Sequence, residues 1–143
     1  MKKVIFFLCI ILVAFSLWAC RQAGKTNNTV ESIGKHDKFS NEEIKDAMKR
    51  VKKKFKDFKG CDLTQLWYDE EKSKGFIEGY LKNGKGAASG VKSENVIVLF
   101  SDFDVDSSGG DGSLNPNSTY SNWNWILIRD NKAGNWKVDD WGY

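Results

Sequence analysis

Ile44, Met48, Val51, Phe55 and Phe58 recur at steps of four, three, four and three residues, the spacing of a single apolar stripe along an α-helix. Such a stripe must be covered, so the rest of the chain has to supply an apolar face for it. Ser40 and Glu43 form a capping box in front of the stripe. Phe39 and Ile44 fit the hydrophobic staple that accompanies such a box, and Gly60 supplies the stop. The pattern predicts a helix of about 19 residues. Its opposite side carries Lys45, Lys49, Arg50, Lys52, Lys53, Lys54, Lys56 and Lys59. Residues 21–60 hold 12 basic and 6 acidic side chains, and residues 61–143 hold 8 and 13, so a basic half precedes an acidic one.

The chain after this helix reads as strands. Cys61 to Tyr68 is a strand on its apolar Leu63, Leu66, Trp67 and Tyr68, and Lys72 to Leu81 is a short second helix. Three glycines and two alanines from Asn83 to Gly90 predict a loop or a loosely held connection. From Asn95 to Asp106, Ile97, Leu99, Phe103 and Val105 share one face, while the other runs Val96, Val98, Phe100, Asp102, Asp104, Asp106. A strand of this kind is covered on both sides at its start and emerges into water at its end. Ser107 to Thr119 is a polar loop. Trp123, Trp125 and Leu127 fall on one face of a further strand, Ile126 and Ile128 on the other, and Asp130 to Gly134 turns the chain back into a last strand with Trp136 and Val138 in phase. The fold class is therefore α+β, a long amphipathic N-terminal helix packed on a curved antiparallel sheet. From Phe39 onward 15 aromatic residues are available, enough for a core without staples.

Residues 1–19 carry Lys2 and Lys3 and then an apolar run from Val4 to Ala19, the order of a secretory signal. The run is shorter than the roughly 20 residues that span a bilayer. Its end, Leu17, Trp18, Ala19, Cys20, resembles a bacterial lipobox, which implies cleavage before a diacylglyceryl Cys20 and a mature protein on the outer face of the cell membrane. Arg21 to Lys38 has almost nothing apolar and reads, with Cys20, as a lipidated flexible tether over residues 20–38, with a reach of roughly 25 Å. Residues 39–143 form one domain. Cys9 leaves with the signal and Cys20 takes the lipid, so Cys61 has no disulfide partner and reads as a small buried hydrophobe.

Several functions lack material. His36 is the single histidine and there are three cysteines, too few for a histidine-based triad, a zinc cluster or a disulfide framework. The charge of +3, which falls when Lys2 and Lys3 leave, does not suit a nucleic-acid binder. Asp102, Asp104, Asp106 and Asp111 invite a calcium reading, but Ser107 and Ser113 stand where a calcium loop needs glycine and a bidentate glutamate. Strand alternation explains the same carboxylates as a solvated face that discourages edge pairing. Trp123, Trp125, Trp136 and Trp141 could form a carbohydrate or peptide platform, with core packing favoured. Asp139 and Asp140 with Tyr68 or Tyr80 could serve acid and base roles, although nothing in their spacing demands it.

The strings CDLTQLWYDEEKS from Cys61, VIVLFSDFDVDSS from Val96 and WNWILIRDNKAGNWKVDDWGY from Trp123 resemble a family of small lipoproteins from Gram-positive bacteria whose shared domain has no known function. That likeness is similar in outline to the cystatin-like cone of nuclear transport factor 2 and ketosteroid isomerase, in which a curved sheet wraps a long helix. It carries no catalytic motif. The expectation is a surface-tethered, non-enzymatic binding module without cofactor or metal. Its candidate contacts are the loop Ser107 to Thr119, the acidic strand end (Asp102, Asp104, Asp106, Asp111) and the lysine face (Lys52, Lys53, Lys56), presented to a protein partner. The alternatives are a cavity protein or cavity enzyme for a small apolar molecule, and an envelope-stress accessory whose lysine face meets anionic lipid.

Overall fold

The structure, a computed structural model, describes residues 22–143; the predicted signal and Cys20 lie outside the described residues. The elements in order are β1 (Val30–Ile33), α1 (Asn41–Phe55), β2 (Cys61–Tyr68), α2 (Glu70–Asn83), α3 (Lys85–Ser89), β3 (Val96–Val105), β4 (Thr119–Ile128) and β5 (Lys137–Gly142). The fold is α+β. The strands form one sheet in the order β1-β2-β3-β4-β5.

The capping box is present: Ser40 N donates to Glu43 Oε2 at 2.7 Å and Glu43 N to Ser40 Oγ at 3.2 Å. Helix α1 is shorter than its stripe predicts, because it stops at Phe55 after 15 residues. Two tight turns follow, with Phe58 N donating to Phe55 O and Cys61 N to Phe58 O. The Phe58 ring still joins the core by stacking on Phe55, with centroids 5.2 Å apart. Gly60 works beyond the helix: its φ is +70° and a Cβ there would lie 2.5 Å from Ser108 Oγ.

The predicted tether is the largest departure from the sequence reading. Its described part, from Gln22 on, belongs to the fold, and the sheet is mixed rather than antiparallel because β1 pairs with β2 in parallel. Upstream of β1, Lys25 N donates to Cys61 O and Leu63 N to Lys25 O, both at 2.9 Å. Edge pairing by main-chain groups needs no apolar side chains, and Val30, Glu31 and Ser32 are exposed. Composition therefore reads the segment as solvent-like. The second correction is α3, a single helical stretch where the glycines predict a loop. Gly86 packs so closely on Tyr80 that a Cβ would lie 2.5 Å from Cε1 of the ring.

Both faces of the sheet are covered. On one, Ile44, Met48, Val51 and Phe55 of α1 meet Leu63, Leu66, Leu99, Phe103, Trp125 and Leu127, all essentially without exposure. On the other, Ile77 and Tyr80 of α2 meet Val96, Val98, Phe100 and Ile126. Ser73 Oγ ties α2 to the sheet by donating to Val98 O at 2.8 Å, and Tyr80 Oη does so by donating to Asp139 Oδ2 at 2.7 Å. Register shifts at Leu63/Gln65, Ser101/Phe103 and Ile126/Leu127 are the kind of irregularity that bends a strand.

Candidate ligand-binding cleft

Arg129 directly follows β4, in which Trp125, Ile126 and Leu127 are buried and the last residue, Ile128, is half-buried against the core. A strand that ends inside the core delivers its next side chain to the rim of that core, and Arg129 is 5% exposed. A buried guanidinium must be paired. Its Nη1 donates to Glu43 Oε1 at 2.7 Å, with longer contacts from Nε to Asn95 Oδ1 and from Nη2 to Glu94 O. The group lies 4.3 Å from the Trp136 ring centre and 5.7 Å from that of Phe39, a flat cation resting on aromatic faces.

Arg129 lines a cleft of about 710 Å³ with Lys38, Glu43, Lys92, Glu94 and Lys132 among its walls. Two of these groups have shifted pKa values. Burial holds Lys38 below the ordinary lysine range against the opposing pull of Glu70 and Glu94. Burial acts to raise the Glu43 carboxyl, but the Ser40 amide and the Arg129 guanidinium outweigh it and keep the pKa below its ordinary value. Lys38 Nζ donates to Ser93 O at 2.8 Å. Ser89, also in the wall, donates its hydroxyl to Gly86 O at 3.2 Å and so faces its own helix. The arrangement suits charge recognition by four cationic side chains interleaved with carboxylates.

None of the seven charged residues singled out as a binding surface lines this cleft. Asp104 and Asp106 come together with Asp62 around Gly60 and Cys61, and Asp104 Oδ1 accepts from Thr119 Oγ1 at 2.6 Å. Asp106 Oδ1 accepts from Ser108 N, and Asp102 Oδ1 from Asn122 N at 2.9 Å. Asp111 sits elsewhere, beside Trp123 and Trp141. Lys52 pairs with Glu31 of β1, whereas Lys53 and Lys56 are exposed. Among the described residues no group of three metal-ligating side chains is assembled. Trp125 and Trp136 are core residues, while Trp141 is 40% exposed. Tyr68 and Tyr80 lie in the two separate cores. Burial, followed by Asp139, pushes the Tyr80 hydroxyl well above its ordinary range, so it stays a donor to that carboxylate. Arg129, Lys38, Lys92 and Lys132 escape the sequence reading, although an arginine closing the apolar run Ile126, Leu127, Ile128 was an available signal.

A family model matches residues 26–142. The chain belongs to the family of the domain of unknown function DUF4829. The DUF4829 match begins within the segment that composition assigns to a tether, upstream of β1. No curated protein and no solved structure matches the chain. Among the described residues no helix of this DUF4829 chain is long and apolar enough to cross a membrane.

Proposed function

We propose that this chain is a lipid-anchored, extracytoplasmic and non-enzymatic binding module that takes a small carboxylate- or phosphate-bearing molecule in the Arg129 cleft. The observation that carries the reading is a guanidinium almost removed from water yet lining an open cleft, with Lys38, Lys92 and Lys132 around it. Arginine presents five donors, and a group already stacked on Trp136 and held by Glu43 is oriented before a ligand arrives. The bent sheet with α1 on one face fits a cystatin-like cone. The space between helix and sheet is taken up by Phe55, Phe103 and Trp125, which favours a ligand on the outer surface over one inside the cone. The lipobox-like Leu17 to Cys20 supports attachment to the outer face of the membrane.

The test uses Trp136 as a reporter, since its ring lies against Arg129. Titration with inorganic phosphate and with succinate should change tryptophan fluorescence saturably. The double substitution Lys92→Glu, Lys132→Glu should abolish that change and leave the melting temperature unaltered. A flat titration, or equal responses from both proteins, rejects the cleft as an anion site. Labelled palmitate entering the wild type but not Cys20→Ala tests the anchor separately.

A further inference from the structure

The first described residues are fixed to the end of α1 rather than trailing from the fold. Gly60 N donates to Gln22 O and Gly24 N to Lys56 O, both at 3.0 Å. Gly24 is buried, and a Cβ on it would lie 2.1 Å from Phe55 O, so this contact is backbone on backbone. Cys20 precedes Gln22 by two residues, and two residues of any conformation span at most about 7 Å. A lipid on Cys20 therefore holds this end of the domain within roughly a Debye length of the headgroups.

The charge on the two sides of Gln22 differs in sign. On the sheet side lie Asp62, Asp104 and Asp106, three carboxylates against the single cation Lys25. On the helix side, Lys45, Lys49, Lys53 and Lys56 follow one another at steps of four, four and three, which aligns them along one flank of α1 over roughly 16 Å. All four are exposed. Their amines have no ion pair among the described residues, in contrast to Lys52 and Lys54, which pair with Glu31 and Asp57.

From this asymmetry we infer that the lysine flank of α1 docks on the anionic lipid surface to which Cys20 is attached, with the acidic strand end tilted away from it. The inference rests on the proposed anchor, which fixes where the membrane lies. A surface of negative headgroups attracts the lysine side and repels Asp62, Asp104 and Asp106, and the short link from Cys20 converts that difference into an orientation. The Arg129 cleft, at the N-terminal end of α1, stays clear of the attachment point.

Amine-reactive footprinting of the full chain, reconstituted into vesicles of phosphatidylglycerol or of phosphatidylcholine and read by mass spectrometry, tests it. On phosphatidylglycerol, labelling of Lys45, Lys49, Lys53 and Lys56 should fall at least about fivefold. Lys82, on α2 across the sheet, should label equally on both lipids. About 0.5 M salt should restore labelling. In the variant Lys49→Gln, Lys53→Gln, Lys56→Gln, whose substitutions are exposed and do not threaten the fold, Lys45 should lose its protection. Equal labelling on both lipids overturns the inference, as does protection that appears on native membranes and not on phosphatidylglycerol, which would mark a protein partner. The intact mass of the same sample reports acylation: protection without acyl chains overturns the anchor while upholding the lysine surface.

Discussion

The Gly24 amide donates to the Lys56 carbonyl at 3.0 Å, closing the C-terminal end of α1 with a segment, upstream of β1, that lies 32 residues earlier in the chain. The last carbonyls of a helix have no partner within it, and here one of them is satisfied from outside. The contact requires glycine, since a Cβ at position 24 would sit 2.1 Å from Phe55 O. Gly24→Ala should destabilise the domain by about 2–3 kcal/mol, the usual cost of forcing atoms into a packed site. Denaturant unfolding should show a lower midpoint with little change in slope. An unaltered midpoint would mean that residues 22–25 are not held as described.

Arg129 and Glu43 link the end of β4 to the first turn of α1. The Glu43 carboxyl titrates below its ordinary 4.5 in the fold, so in the acid range the unfolded chain binds more protons than the folded one. Its contribution to stability is thus complete above about pH 4.5 and is lost as pH falls through the folded value. Arg129→Met leaves the carboxylate without its cation and should cost about 2 kcal/mol at pH 7, less than a fully buried pair would because Glu43 retains some exposure. Adding Glu43→Gln should recover part of that loss and flatten the acid limb of the stability curve. A double variant as acid-sensitive as the wild type would show that another carboxylate governs that limb.

The parts of this fold that announce themselves in the sequence are those held by side chains with a period. The stripe from Ile44 to Phe55, the alternation from Val96 to Val105 and the paired phases of Trp125 and Leu127 all reappear as buried faces. What escaped detection is held by the main chain or by distant charges. Strand β1 exposes Val30, Glu31 and Ser32 and attaches mainly through backbone groups that carry no residue signature, with Ile33 packed on the core and Glu31 paired with Lys52. Arg129 looks like an ordinary strand terminator until Glu43, 86 positions away, is placed beside it. The early end of α1 has the same origin, because Gly24 and the turns after Phe55 outweigh a periodicity that continues to Phe58.

Cys61 is buried and has no disulfide partner among the described residues. Burial first, and then Asp106 and Asp111, push its thiol up to about 11 from an ordinary 9.0. The nucleophilic species is the thiolate, and two pH units correspond to a population about 100-fold smaller, before burial limits access further. Iodoacetamide should leave Cys61 essentially unmodified in the folded protein at pH 8 and modify it fully in denaturant, as read on the peptide that contains it. Rapid alkylation of the native protein would exclude the role of a passive core residue.

Trp125 and Ser101 form a hydrogen bond of 2.8 Å between indole Nε1 and the serine Oγ, with both residues fully buried. Ser101 stands in β3 on the face otherwise filled by Leu99 and Phe103, where a hydroxyl gains nothing from apolar contact. Its place is explained by the indole, which would otherwise lose its partner at a site closed to bulk solvent. Ser101→Ala removes that acceptor and little volume, so the expected loss of about 1–3 kcal/mol measures an orphaned donor rather than a cavity. Ser101→Thr keeps the acceptor but adds a methyl group in a packed layer. It should therefore lose stability by crowding while preserving the red-shifted absorption of a hydrogen-bonded indole, whereas Ser101→Ala should lose that shift. If both variants unfold with the wild type and keep its spectrum, Trp125 does not depend on Ser101.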